Sequence, residues 1–246
     1  KQTSENLVRT LLDSDSKPAV MLLFLAKANG HTCQIQQAQI GKHYRLPMLS
    51  YANVMKDLVS KGIYTMDELT GDAVHPSALG SAVIGEMIVR YLDNIHNKSL
   101  GQVIRKKAPK PYVTSRMYKN AQVKSCKNIN IKNSGTFAPS QKSRIFPDNL
   151  TSKKGSGSLT FTVTCKNLGL LYARQSDGKG GEFDIYVDGR KVTTLDADYP
   201  EGRLNNYLTG AVCYSSKVKK SHTIRIVKNK KSAGRELTIF GVLVSG

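Results

Sequence analysis

Two hydrophobic rhythms divide this chain. Through the first hundred residues apolar positions return every three or four places, the spacing of helices with one buried face, and short unbroken apolar runs interrupt them. Leu7, Val8, Leu11 and Leu12 predict a helix over Glu5 to Leu12, closed by the polar stretch from Asp13 to Pro18. Ala19 to Leu25 is short and continuously apolar, as a strand reads when both faces of a parallel sheet are covered. A Gln-rich helix over Thr32 to Tyr44 follows, with Ile35, Ala38 and Ile40 inward, then a second short strand over Leu46 to Tyr51 and a helix carrying Val54, Leu58 and Val59. From Ser77 to Leu92 the helical spacing returns in Ala78, Leu79, Ala82, Val83, Met87 and Leu92, with Gly80 and Gly85 allowing close packing at some cost in helix propensity. Alternating helices and buried strands predict an α/β layer arrangement.

The last ninety residues change to period two. Leu159, Phe161, Val163 and Cys165 alternate with threonines, and further runs at 168–172, 183–187, 222–227 and 237–244 read as strands. Asp188-Gly189 between two such runs is a strong two-residue hairpin signal. Val123, residues 128–131 and Thr136-Phe137 add one or two short strands ahead of them. Short strands with regular turn punctuation predict an all-β antiparallel sandwich of jelly-roll type.

Charge sharpens this division. Of the net +19 carried by 246 residues, residues 1–100 hold 10 Lys and Arg against 9 Asp and Glu, so nearly all of the excess lies in the second part. Residues 101–154 carry 13 basic side chains and one acid, Asp148, and the stretch from Arg105 to Pro111 is basic and proline-punctuated, unsuited to a helix or central strand. The expected organisation is therefore an α/β part at 1–100, a basic linker at 101–120 and a β-sandwich at 121–246. Without a recognition helix, zinc-finger spacing or interleaved aromatics, the charge argues for a solvated basic face or an anionic polymer rather than specific nucleic-acid recognition. The longest apolar run is too short to span a bilayer. Four cysteines, Cys33, Cys126, Cys165 and Cys213, lack the C-x-x-C spacing of a zinc or redox site. Free thiols are the expectation, with a Cys165–Cys213 bridge the alternative.

The chemistry of the chain concentrates in Thr70-Gly71-Asp72-Ala73-Val74-His75-Pro76, directly before the last helix of the first part. A carboxylate three residues ahead of an imidazole can fold back onto one ring nitrogen and leave the other to act as a base. Pro76, with no N–H to leave unpaired, suits a first helical position. A helix-capping Asp beside a structural His is the competing reading of an isolated D-x-x-H-P.

The order of elements around this motif resembles a known family. The "KPAVMLLF" strand, the Gln-rich helix, the "LPMLSY" strand and "GDAVHPSALGSAVIGEMIVRYL" are similar to the later part of an SGNH (GDSL-type) hydrolase, a three-layer flavodoxin-type domain. The resemblance implies a serine esterase in which His75 is the general base and Asp72 its orienting carboxylate. It covers about the first hundred residues. The family's Gly-Asp-Ser block and the Gly and Asn blocks that donate to the oxyanion do not occur in this chain, so the resemblance implies that an N-terminal chain of the same protein supplies them. Two strands alone would leave an apolar sheet edge exposed. Something else is therefore expected to cover it.

In the second part, "GEFDIYVDGRKVTTLDA" and "HTIRIV...LTIFGVLVS" resemble sandwich modules appended to bacterial carbohydrate esterases. That likeness implies an acylated, most naturally acetylated, polysaccharide as substrate and an extracellular or cell-envelope location. Tyr172, Arg174 and Tyr207, with Asp177, Tyr199, Asn205 and Asn206, are placed in or beside loops where they can contact sugar. The alternative reading is a basic module that binds carbohydrate or an anionic polymer without turnover. No cofactor is implied. His31, His43, His96 and His222 have no partner at metal-ligand spacing and receive no role, and Cys33, expected in a turn with no helix behind it, is read as inert.

Overall fold

The computed structural model describes every residue except 17, 98–107, 153–156, 200–205, 230–231 and 233, and only the backbone at 206–208. Two compact units divide the chain, Lys1–Arg116 and Met117–Gly246.

The first unit alternates α1 (Gln2–Asp13), β1 (Leu22–Phe24), α2 (Gln34–Tyr44), β2 (Met48–Ser50), α3 (Tyr51–Ser60), α4 (Met66–Leu69) and α5 (Ala78–His96). β1 and β2 pair in parallel, Leu22 with Met48 through Phe24 with Ser50. Both strands are shorter than the apolar runs that predict them, since each finds a single partner here, and Tyr51 opens α3 instead of closing β2. One small core joins Val8 of α1 to Ile40 and Tyr44 of α2, with Ala108; a second packs Tyr51, Met55 and Leu69 under Leu79, Val83, Ile84 and Met87 of α5. Ile35, expected inward, is 74% exposed. Five residues from Ile40, it lies roughly 140° away around the helix, so both cannot face one core. On α5 Ala82 and Leu92 are likewise exposed, and Gly80 is the only residue of the helix that is fully buried.

The two glycines of α5 separate on inspection. A Cβ on Gly80 would lie 2.2 Å from the Leu69 carbonyl oxygen, so this position must be bare for α4 and α5 to cross; at Gly85 nothing lies within 4 Å. Of the stretch 101–120 expected as a linker, residues 108–116 belong to this unit and 117–120 to the second. Buried Glu5 accepts from the Tyr44 hydroxyl at 2.6 Å and from the Val113 and Thr114 N–H groups at 2.7 and 2.6 Å. Arg9 donates to the Pro109 carbonyl at 2.7 Å and lies over the Tyr112 ring at 4.0 Å. Burial alone would raise the Glu5 pKa, but its hydrogen bonds from Thr114, Tyr44 and Val113 outweigh it and hold the carboxyl below the usual value.

In the second unit nine strands form one curled antiparallel sheet: β3 (Gln122–Ser125), β4 (Asn130–Asn133), β5 (Phe137–Ser140), β6 (Asn149–Ser152), β7 (Ser158–Gln175), β8 (Glu182–Val187), β9 (Arg190–Asp196), β10 (Asn206–Lys228) and β11 (Leu237–Ser245). The runs at 159–165 and 168–172, which read as two strands, are one strand of 18 residues. β7 serves both layers of the jelly roll. Its first half pairs with β4 and with residues 220–227 of β10, its second half with β11 and with residues 206–215 of β10. Leu159, Phe161, Val163 and Cys165 point into one core with Phe183, Ile185, Ile224 and Ile226, as the alternation predicts. From Leu168 to Ala173 every residue is buried, because Phe146 and Phe240 cover the other face. Asp188 (φ 50°) and Gly189 (φ 83°) make the two-residue turn joining β8 to β9. All four cysteines are free, including Cys165 and Cys213. The fold is thus an α/β unit joined to an antiparallel jelly-roll sandwich, and no described helix is long and apolar enough to cross a membrane.

Candidate functional site

The loop between α4 and α5 is held from both sides. Thr65 caps α4 through a reciprocal capping box with Glu68, and Ser77 caps α5 by accepting from the Gly80 N–H at 3.0 Å. The Ser77 N–H donates to the Leu69 carbonyl at 3.1 Å, Thr70 bridges Pro76, and the Gly71 N–H reaches the His75 carbonyl at 2.9 Å. Pro76 therefore sits just outside the helix, because the Ser77 cap defers its start to Ala78.

Inside this closed loop Asp72 turns back. Its Oδ1 accepts from the Val74 and His75 N–H groups at 2.7 and 2.8 Å, and the His75 Nδ1 lies 2.8 Å from Oδ2 and 3.1 Å from Oδ1. The bond to the His75 ring, then those from the His75 and Val74 amides, holds the Asp72 carboxyl far below the usual range. An ionised carboxylate can only accept, so Nδ1 carries a proton, and in the neutral ring Nε2 presents the lone pair. The side chains are 75% and 56% exposed, so solvent screens the pair. One further bond places the loop: the Ala28 N–H donates to the Ala73 carbonyl at 3.2 Å. Ala28 belongs to the turn that follows β1, so the pair sits beside a loop leaving the carboxyl end of a parallel strand, where open α/β sheets place their sites.

The residues proposed for sugar contact fare differently. Tyr172 is 5% exposed, its ring edge-on to Phe183 at 5.3 Å, so neither ring face is open to a sugar; its place in the apolar run 168–172 is the sequence signal of that burial. Arg174 is half-buried, donates to the Asp198 carbonyl at 2.7 Å and lies over the Tyr199 ring at 4.6 Å. Tyr207 is paired directly with Arg174, on β10 rather than in a loop, and its side chain lies outside the described residues, as does Asn205. Asp177 binds Lys179 at 2.8 Å.

Two features escaped the sequence. Cys33 occupies the N-cap of α2, not a bare turn. His222, given no role, donates from Nδ1 to Asp188 Oδ2 at 2.8 Å, and its side chain is fully buried. The Asp-Gly hairpin signal marked Asp188, but nothing in a linear reading joins it to a residue 34 positions on. Among the described residues no group of three or more His, Cys, Asp and Glu side chains is arranged to hold a metal.

No protein-family model matches the chain, and no curated protein matches it in sequence. Solved structures do match in fold. A crystal structure of a two-domain esterase (CEX) active on acetylated mannans superposes with a TM-score of 0.88 at 23% identity, covering 100% of this chain and 68% of that one. The same esterase co-crystallised with mannopentaose gives 0.84 at 23% identity, covering 100% and 67%. At that identity the likeness establishes the two-part fold.

Proposed function

We propose that this chain contributes the base half of a serine esterase of SGNH type that deacetylates a polysaccharide, with the nucleophilic hydroxyl and oxyanion donors supplied by polypeptide outside it. The observation that carries the reading is the Asp72–His75 pair, fixed by two backbone amides and oriented so that Nε2 is free to accept a proton. In the reaction, Nε2 takes the proton of a serine as its oxygen attacks the acyl carbon. The tetrahedral oxyanion then collapses, the sugar oxygen leaves with that proton, and water repeats the sequence to release acetate.

Two surfaces of the first unit support the need for further polypeptide. Among the described residues no strand pairs with the outer edge of β1, beside which Leu7, Val8, Leu22, Leu23 and Ile40 line an open apolar cavity of about 180 Å³. The second half of α5 leaves Val89 and Leu92 half exposed. A cover over the loop would also exclude water from a base that now lies open to it. An acetylated mannan is the favoured substrate class, by analogy with the two-domain esterase of the same fold, and such a substrate fits an extracellular or envelope location. Arg174, with Tyr207 beside it in the sheet, is the proposed sugar-contacting position on the sandwich.

The test is p-nitrophenyl acetate hydrolysis by this chain alone and after addition of a Gly-Asp-Ser-bearing N-terminal chain. Turnover that appears on recombination and vanishes in His75→Ala supports the reading. Recombined turnover indifferent to His75 overturns it.

A further inference from the structure

The sandwich carries a second feature that the hydrolytic reading does not use. Where β7 and β10 pass from one layer to the other, their register breaks: Ser215 pairs with Asn167 and Lys220 with Cys165, so residues 216–219 of β10 stand opposite the single residue Lys166. Strands commonly change layers through such bulges, but one extra residue suffices for a bend. Here there are three more than the partner strand has. The excursion reads Ser216-Lys217-Val218-Lys219 and is followed by Lys220; its residues 217–220 are all exposed. The Ser216 hydroxyl donates to the Val218 carbonyl at 2.5 Å and so braces the loop across its own tip.

Most of the charge of this corner is not neutralised by the protein. Among the described residues no carboxylate pairs with Lys166, Lys217 or Lys219, and Lys220 lies 3.7 Å from Asp188. That Asp is otherwise engaged, accepting from the Thr223 N–H and the His222 ring. Elsewhere in the unit the lysines beside acids are paired, as in Lys142 with Glu236, Lys179 with Asp177 and Lys191 with Asp184. Two exposed cations, Lys217 and Lys219, with half-buried Lys166 and the Asp188-paired Lys220 beside them, therefore cluster around one looped-out tip in a unit of strongly positive net charge.

We infer that this corner docks an anionic polysaccharide, its carboxylate, sulfate or phosphate groups held by Lys217 and Lys219 with Lys166 and Lys220 beside them. The charge complementarity favours a polyanion, and the residue types narrow its class. Lysines are point charges suited to groups spaced along a flexible chain, whereas planar, bidentate recognition of phosphodiesters calls for arginine. Stacking of bases would need an aromatic platform, which the exposed tip lacks. Membrane attachment would need several apolar side chains to insert, and Val218 stands alone. This inference is independent of the esterase reading, since it concerns only the sandwich.

The experiment measures binding of the full chain to polygalacturonate, to unsubstituted mannan, to a single-stranded oligonucleotide and to phosphatidylglycerol vesicles, at low and physiological salt. Polygalacturonate should be retained in preference to the other three, with affinity falling steeply as salt rises. Lys217→Gln with Lys219→Gln should weaken it about tenfold, while Lys217→Arg with Lys219→Arg should restore it and report on folding of the altered tip. Equal affinity in the Gln variant, salt-independent binding, or tighter retention of the oligonucleotide or the vesicles would overturn the proposal.

Discussion

The two units solve the burial problem to different degrees. In the sandwich, β7 is covered on both faces through its second half, and large side chains such as Phe161, Phe183 and Leu170 are sealed. The α/β unit has two strands of three residues and a final helix whose only fully buried residue is a glycine. One unit seals its large apolar side chains; the other carries the ionisable pair on an exposed loop and leaves Val89 and Leu92 of its last helix half exposed. An exposed ionisable pair on a unit with so small a core fits the proposed site assembled from more than one segment.

The sharpest way to break this contrast is at the loop itself. In the recombined enzyme His75→Ala should lower turnover on the order of a thousandfold or more, and Asp72→Asn should do comparable damage by freeing the ring to take the wrong tautomer. Steady-state rates on p-nitrophenyl acetate measure both. Near-normal rates in either variant would return the motif to a helix-capping Asp beside a structural His.

Next in size is a cavity in the sealed unit. Phe161→Ala should destabilise the sandwich by about 3–5 kcal/mol, read as a lower urea midpoint for the transition that reports on its tyrosines. A smaller effect would mean that the core is less tightly filled than its burial indicates.

A third prediction addresses what holds the open unit. Because the Glu5 pKa is lowered on folding, its contribution is present above the unfolded value of about 4.3 and is lost as pH falls through the folded one. Glu5→Gln should cost about 1–3 kcal/mol at pH 7 by leaving buried donors short of an acceptor, and should flatten the loss of stability between pH 5 and 3 (about the carboxylate range). Urea titrations of the first unit at several pH values give both numbers. The smallest effect separates the glycines of α5. Gly85→Ala should stabilise by up to about 1 kcal/mol, since it gains helix propensity in open space, whereas Gly80→Ala should destabilise by forcing α4 and α5 apart.

Much of this architecture is legible in the sequence, for local reasons. Alternation from Leu159 to Cys165 names the inward face, Asp188-Gly189 names the turn, and three-residue spacing brings Asp72 to His75, all short-range rules of geometry. What escapes depends on partners far along the chain. Ile35 looks inward until Ile40 claims that face, Tyr172 reads as lying beside a loop until the strand continues to Gln175 and Phe183 meets its ring, and the four residues of α4 are too few for a periodic signal although Thr65 and Glu68 spell its cap. The His222–Asp188 contact joins a strand to a turn that only the sheet register brings together.

That β7 and β10 run through both layers has a mechanical consequence. Neither layer can peel away without tearing the longest ladder in the sheet, so fraying has nowhere to stop once it passes the corner. The sandwich should accordingly lose its order in a single step, and tension applied across it should meet one abrupt yield instead of a staircase.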